Sequence, residues 1–339
     1  MTSRNILYWS IFVISLVTSY ACNQRISDEI PSRSSNIELF KTLQKVDPNS
    51  RSKQEAAVIY RSIDLGVTWS SFDNGIPADA TLSGIKQYGN KIYVSTDYHG
   101  VYFTSDGQNN WSALNALSLR DLDINCIEVE ANRIIVGTLK HGVLESQDGG
   151  LSWNPSKVNI NSLIRAFIKS GSSMYAGTDA GIFKSTDMGS SWSHVFGKMQ
   201  ILGFTSLNDN IYAATQNGAL MGSGNMLEWK TIYEGDALHD IGNDGHNIYA
   251  MTIGQKLLKT QNDGELWENA QNGIVRPPNF YTNELQHIGD DVFSAQWIGI
   301  YHSTNNGNSW QIIDGLPDST AFSTLQITDY GIIAGISIR

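Results

Sequence analysis

Three aspartates, Asp64, Asp148 and Asp187, share one setting, with a serine two residues before and a hydroxyl residue four after. Paired carboxylates are what glycoside hydrolysis needs across a scissile bond. Here, however, the setting is a repeated string. Ser185-Thr-Asp187-Met-Gly189-Ser-Ser191-Trp192 has the form S-x-D-x-G-x-S-W. Ser146-Gln-Asp148-Gly-Gly150-Leu-Ser152-Trp153 matches it, and Ser62-Ile-Asp64-Leu-Gly66-Val-Thr68-Trp69 differs only by Thr for Ser. Ser303-Thr-Asn305-Asn-Gly307-Asn-Ser309-Trp310 carries Asn for Asp, and weaker copies, one with Asp106, end at Trp111, Trp229 and Trp267. Such strings make turns. Asp or Asn accepts backbone N–H bonds, Gly takes a φ that L-residues avoid, and Trp packs under the hairpin. These residues are therefore expected to be structural.

Other groups have chemistry to offer. His99 and His141 occupy the same position in two short loops, with Asp97 close by. They suit a metal shared with Asp97, but zinc wants three or four converging ligands, the sequence does not place a converging third, and no metal or cofactor is assigned. Tyr98 and Trp297 are aromatics on loops too short to pack them easily. They suit stacking on a sugar, anchoring a partner side chain, or plugging a central channel. Lys140, Arg165 and His239 complete the candidate ligand or partner contacts.

The elements that position these groups repeat. Successive motif Trp residues lie 42, 42, 39, 37, 38 and 43 apart, a period characteristic of propeller blades. Each repeat divides into four short β-rich runs separated by turn residues. First strands centre on Ile85, Ile127, Phe167, Phe204, Ile241, Leu285 and Leu325, and a fourth strand begins at each motif Trp. The pattern starts in mid-repeat at 58–60 and ends in mid-repeat at 322–338, so the two ends complete one blade. Six whole repeats and this composite predict an all-β, seven-bladed β-propeller over 56–339, closed by strands from both chain ends. A closed ring leaves no open sheet edge.

The motif lies between third and fourth strands, so the loops between second and third strands open on the opposite face. Those loops carry Asp97-Tyr98-His99, Leu139-Lys140-His141, Asp179, Gln216-Asn217, Gln255 and Trp297. Two residues before each first-strand centre runs a second ring: Ser83, Asn125, Arg165, Leu202, His239, Asn283 and Ser323.

Ahead of the propeller, Arg4 and the apolar run 6–21 form a leader too short for a comfortable membrane span. Ala21-Cys22 resembles the lipobox of bacterial lipoproteins, which implies lipidation at Cys22 and an exported chain anchored to a membrane. Ordinary cleavage after Ala21 would release it instead. Residues 22–55 are polar and are expected to be a tether, with one short amphipathic helix over 36–46. Cys126, the only other cysteine, suits a small buried hydrophobe. The formal net charge of −10, without a basic patch, argues against nucleic acid. Nothing in the pattern calls for an oligomer, and a monomer is expected.

The repeated string resembles the Asp-box, or BNR repeat, of sialidases, xyloglucanase-type glycosidases, sortilin-type receptors and photosystem II assembly-factor propellers. The resemblance covers nearly all of 56–339. It implies that the box turns stand at the periphery and that ligands bind on the opposite face. Sialidases of this group use an arginine triad, a Tyr–Glu pair and an acid Asp. Here Arg165 holds a ring position, Arg120 and Arg276 flank others, Tyr281 and Glu284 do not match the family's pair, and no Arg-Ile-Pro element opens the first blade. Xyloglucanase-type clefts lie between two propellers, and this chain has one. The expectation is a non-catalytic scaffold binding a protein or glycan; the alternative is a sialidase-like glycoside hydrolase.

Overall fold

The computed structural model describes residues 57–339 except 115–118, 120–121, 158–159, 224–227, 254–255, 275–281, 318–319 and 338–339. The expected leader, Cys22, the tether and its helix lie outside the described residues, as do Arg120, Gln255, Arg276 and Tyr281.

The described residues form seven four-stranded antiparallel sheets. The first blade runs Leu82–Tyr88, Lys91–Thr96, Gly100–Ser105 and Ser112–Ala113. The second, third, fourth, fifth and sixth blades open with Ile124–Glu130, Ile164–Ser170, Ile201–Leu207, Leu238–Asn243 and Thr282–Ile288. The seventh is composite, in the order Ser70–Ser71, Ile59–Ser62, Gly331–Ile336, Phe322–Thr328. Its closure is an antiparallel ladder with Ile59 opposite Gly335 and Ser62 opposite Ile332. Each innermost strand packs against that of the next blade, and the composite blade's packs against the first blade's, so the ring is closed. This is a seven-bladed β-propeller.

The core lies between blades. All seven expected first-strand centres are buried, from Ile85 at 0% to Leu285 at 3% exposure. Cys126 is fully buried, its Sγ filling space that a Cβ on Gly137 would contest. Charged seams supplement apolar packing: Lys86 Nζ lies 3.1 Å from Glu128 Oε2, and Lys169 Nζ 2.9 Å from Glu130 Oε2, each across a blade boundary.

The motif turns explain the repeat. In the third blade, the Ser185 hydroxyl donates to Asp187 Oδ1 at 2.8 Å and accepts from Gly189 N at 2.8 Å. Asp187 also accepts the Ser191 N–H at 2.9 Å and its hydroxyl at 2.5 Å. The same bonds recur around Asp64 and Asp148, and around Asn305 with its amide donating to Ser309. Two successive residues are left-handed, such as Met188 (φ 55°) and Gly189 (φ 82°), and the non-glycine half of that pair was not anticipated. The bonds from Ser152, side chain and backbone, and from Ser146 hold the exposed Asp148 carboxyl down at about 2. Burial works to raise the Asp187 carboxyl, but the bonds from Ser191 and Ser185, with Arg133 nearby, prevail and lower it.

Three details differ from expectation. The fourth strand begins one residue after the motif Trp in six blades, and only the fourth blade's starts on it, at Trp229. Next, the motif Trp residues do more than line their own hairpins. Trp69 and Trp192 donate to their own turn's glycine carbonyl, whereas Trp111, Trp267 and Trp310 reach Phe72, Ile232 and Ala270 of the preceding blade. Finally, Asp106 departs from the pattern, accepting instead from Asn90 Nδ2 at 2.9 Å. Trp153 and Trp229 are half-buried.

Candidate binding face

At the other end of four of the third strands, a different device closes the hairpin. Thr96, Thr138, Thr178 and Thr215, all buried, donate their hydroxyls to the carbonyls of Gly100, Gly142, Gly181 and Gly218 at 2.8–2.9 Å. Gly218 has φ 125°, and a Cβ there would fall 2.0 Å from the Tyr233 carbonyl oxygen. The clamp recurs as Thr followed three or four residues later by Gly. That signal is present in the sequence and was missed.

The clamp fixes loop ends and leaves loop tips to vary. Tyr98 is 46% exposed with φ 63°, a left-handed conformation that costs a bulky residue about 1–2 kcal/mol. Its N–H donates to the Leu122 carbonyl at 3.1 Å, which holds the strained tip against the second blade. His99 Nε2 lies 3.3 Å from Asp79 Oδ1, a pairing the sequence did not indicate. Asp97 is buried and bridges to Asp123. Lys140 is well exposed, its Nζ 3.9 Å from Asp123 Oδ2. His141 is exposed and its N–H donates to Thr138 Oγ1 at 2.9 Å. Trp297 is half-buried. Among the described residues no three His, Cys, Asp or Glu side chains are grouped to hold a metal ion.

Beneath the tips lies the second ring, and here a rule emerges that the sequence did not reveal. In every blade the pairing of first with second strand slips by one residue near the start, and the residue passed over is Ser83, Asn125, Arg165, Leu202, His239, Asn283 or Ser323. Each ring residue is thus a β-bulge, a device that re-aims a side chain. Those whose side chains are described are all buried, Arg165 and His239 at 1% exposure. Several serve the neighbouring blade: Asn125 Nδ2 donates to the Ile164 carbonyl at 2.9 Å, and the Ser323 hydroxyl to the Leu82 carbonyl at 3.0 Å.

Arg165 stands apart. Its Nε donates to Asp179 Oδ1, and the Asp179 side chain, on the loop above, is 29% exposed. So the seven expected contacts divide into two tiers. Tyr98, His99, Lys140, His141 and Trp297 are on the loops; Arg165 and His239 are on the bulged inner strands below. Of the other described arginines, Arg61 donates to the Gly107 carbonyl at 2.5 Å, and Arg133 to the Asp187 carbonyl at 3.0 Å and Glu145 at 2.8 Å. Both are thereby tied to the box side. Glu284 is buried and accepts the Leu325 N–H at 2.8 Å.

No protein-family model matches this sequence, and no curated protein matches it. Solved structures do. A structure of YCF48 bound to D1 peptide is 18% identical with a TM-score of 0.61, the likeness covering 76% of this chain and 92% of that one. YCF48 from Cyanidioschyzon merolae is 15% identical with a TM-score of 0.59, over 77% of this chain and 96% of that one. A GH74 xyloglucanase from Xanthomonas campestris is 12% identical with a TM-score of 0.62, over 86% of this chain and 57% of that one. At these identities the likeness shows the propeller fold alone.

Proposed function

We propose that this chain is a non-catalytic binding propeller that takes a protein partner on the face opposite the motif turns. Tyr98 carries the reading: a half-exposed aromatic kept in a strained conformation at a loop tip is retained for what it touches outside the chain. The peptide in the YCF48 structure supports a protein over a glycan. The repeated string is an Asp-box, whose turns brace the ring and leave that face free to vary. Cys22 is lipidated, residues 22–55 tether the propeller, and the chain works as an exported, membrane-anchored monomer at the bacterial envelope.

A hydrolase reading needs groups that the described site engages otherwise. Arg165 is paired with Asp179, while Arg61 and Arg133 brace the motif turns. The test is product release from fluorogenic sialosides and a panel of polysaccharides, with partner capture by cross-linking in envelope preparations. The account expects no turnover and a discrete protein adduct. Turnover abolished by Arg165→Ala would overturn it. Cys22→Ser should move the chain from the membrane to the soluble fraction, and unchanged membrane association would refute the anchor.

A further inference from the structure

Arg165 makes only part of the contact it is able to make. A guanidinium offers five donors in a planar fork. Arg165 is 1% exposed, and only Nε meets Asp179. Among the described residues its Nη1 is buried with no hydrogen-bond partner. A buried charged donor left unsatisfied is costly, so such a group calls for an explanation. Asp179 lies partly exposed on the loop above, so the ion pair runs inward from the solvent edge of the face. Asp179 engages Nε and leaves the buried Nη1 without an acceptor.

We propose that the unsatisfied Nη1 of Arg165 is a receptor for one carboxylate of the bound partner, an acidic side chain or a free chain terminus. This rests on the reading of the face as a protein-binding surface and names what that surface selects. The charge balance selects a monoanion over phosphate. Arg165 is already paired with Asp179, and the chain as a whole is acidic, with a formal net charge of −10. A dianion would meet too little positive charge, whereas one carboxylate oxygen gives Nη1 the acceptor it lacks. Asp179 then acts as a competing internal anion that keeps the site selective.

The experiment presents an array of peptides to the full-length chain in mild detergent. Each peptide appears as itself, with every Asp and Glu changed to Asn and Gln, and with its C-terminus free or amidated. Bound peptides should weaken about 10-fold or more when the one critical carboxylate is removed, and the arms separate side chain from terminus. Arg165→Gln should erase that discrimination. Asp179→Asn should tighten carboxylate peptides several-fold by removing the competing anion, and it decides the matter if Arg165→Gln does not fold. Binding that ignores every carboxylate, or that Asp179→Asn weakens, overturns the carboxylate receptor while leaving the binding face intact. Absence of any peptide binding overturns both.

Discussion

The third strand of the third blade, Gly181–Ser185, has an aspartate beyond each end. Asp187 follows it and spends its carboxylate within its own turn, on Ser185 and on the backbone and hydroxyl of Ser191. Asp179 precedes it and reaches out of its loop to Arg165 on the innermost strand. The first arrangement is local and is copied around the ring, with Asp64, Asp148 and Asn305 in the same role. Among the described residues the second occurs in one blade. The pair teaches where repetition and individuality are divided in this propeller. One face satisfies its own polar groups with one recurring set of residues in four of its turns, and the other fixes only the loop ends and lets the tips differ.

The comparison is broken most forcefully on the motif side. Trp192 is 5% exposed, stacks on Phe167 with ring centroids 5.7 Å apart, and donates to the Gly189 carbonyl. Trp192→Ala should cost about 3–5 kcal/mol, read as a lowered melting temperature; a negligible shift would sink the structural account of the turn. Gly218→Ala comes next. It forces a Cβ against the Tyr233 carbonyl at a φ of 125° and should cost at least about 1–3 kcal/mol in strain. Equal stability of the variant would show that the loop clamp does not depend on glycine.

Smaller effects sharpen the contrast. The Asp148 carboxyl, held at about 2 in the folded chain, lies below its ordinary value of 3.8. A depressed carboxyl contributes stability that is present above pH 4 and lost as pH falls through 2. Asp148→Asn, which keeps the acceptor as Asn305 does, should flatten the acid limb of a melting-temperature profile between pH 4 and 2. An unchanged limb would mean the charge is irrelevant to the turn. On the opposite face, Tyr98→Gly should leave melting nearly unchanged. Relief of about 1–2 kcal/mol of strain offsets the extra unfolded-state entropy of about 1 kcal/mol. The same change should weaken partner binding, and a drop in melting of several degrees would make Tyr98 a packing residue instead.

Much of the ring was legible because it is repetitive. Seven spaced Trp residues and the mid-repeat ends led to seven blades and the composite closure, since a period is visible without any knowledge of three-dimensional contacts. The ring of inner residues from Ser83 to Ser323 was also found by alignment, but not what it is. A bulge is a slip between two strands, and it leaves no fixed residue type behind when Ser, Asn, Arg, Leu and His all occupy it. The partners Asp79 for His99 and Asp179 for Arg165 were equally hidden. Both are single pairings set by how loops fold over one blade, and neither recurs to announce itself. The reach of Trp111, Trp267 and Trp310 into the preceding blade went unseen for a related reason. The motif looks the same whether its indole bonds inward or across.

The most direct test places a photoreactive residue on each face of the full-length chain expressed in its native cells. One variant carries it at Tyr98, and the other at Leu151, which is 69% exposed in a motif turn. The account predicts a discrete protein adduct on irradiation from position 98 and none from position 151. An adduct from position 151, with none from 98, would put the partner on the motif side and contradict the division between the two faces.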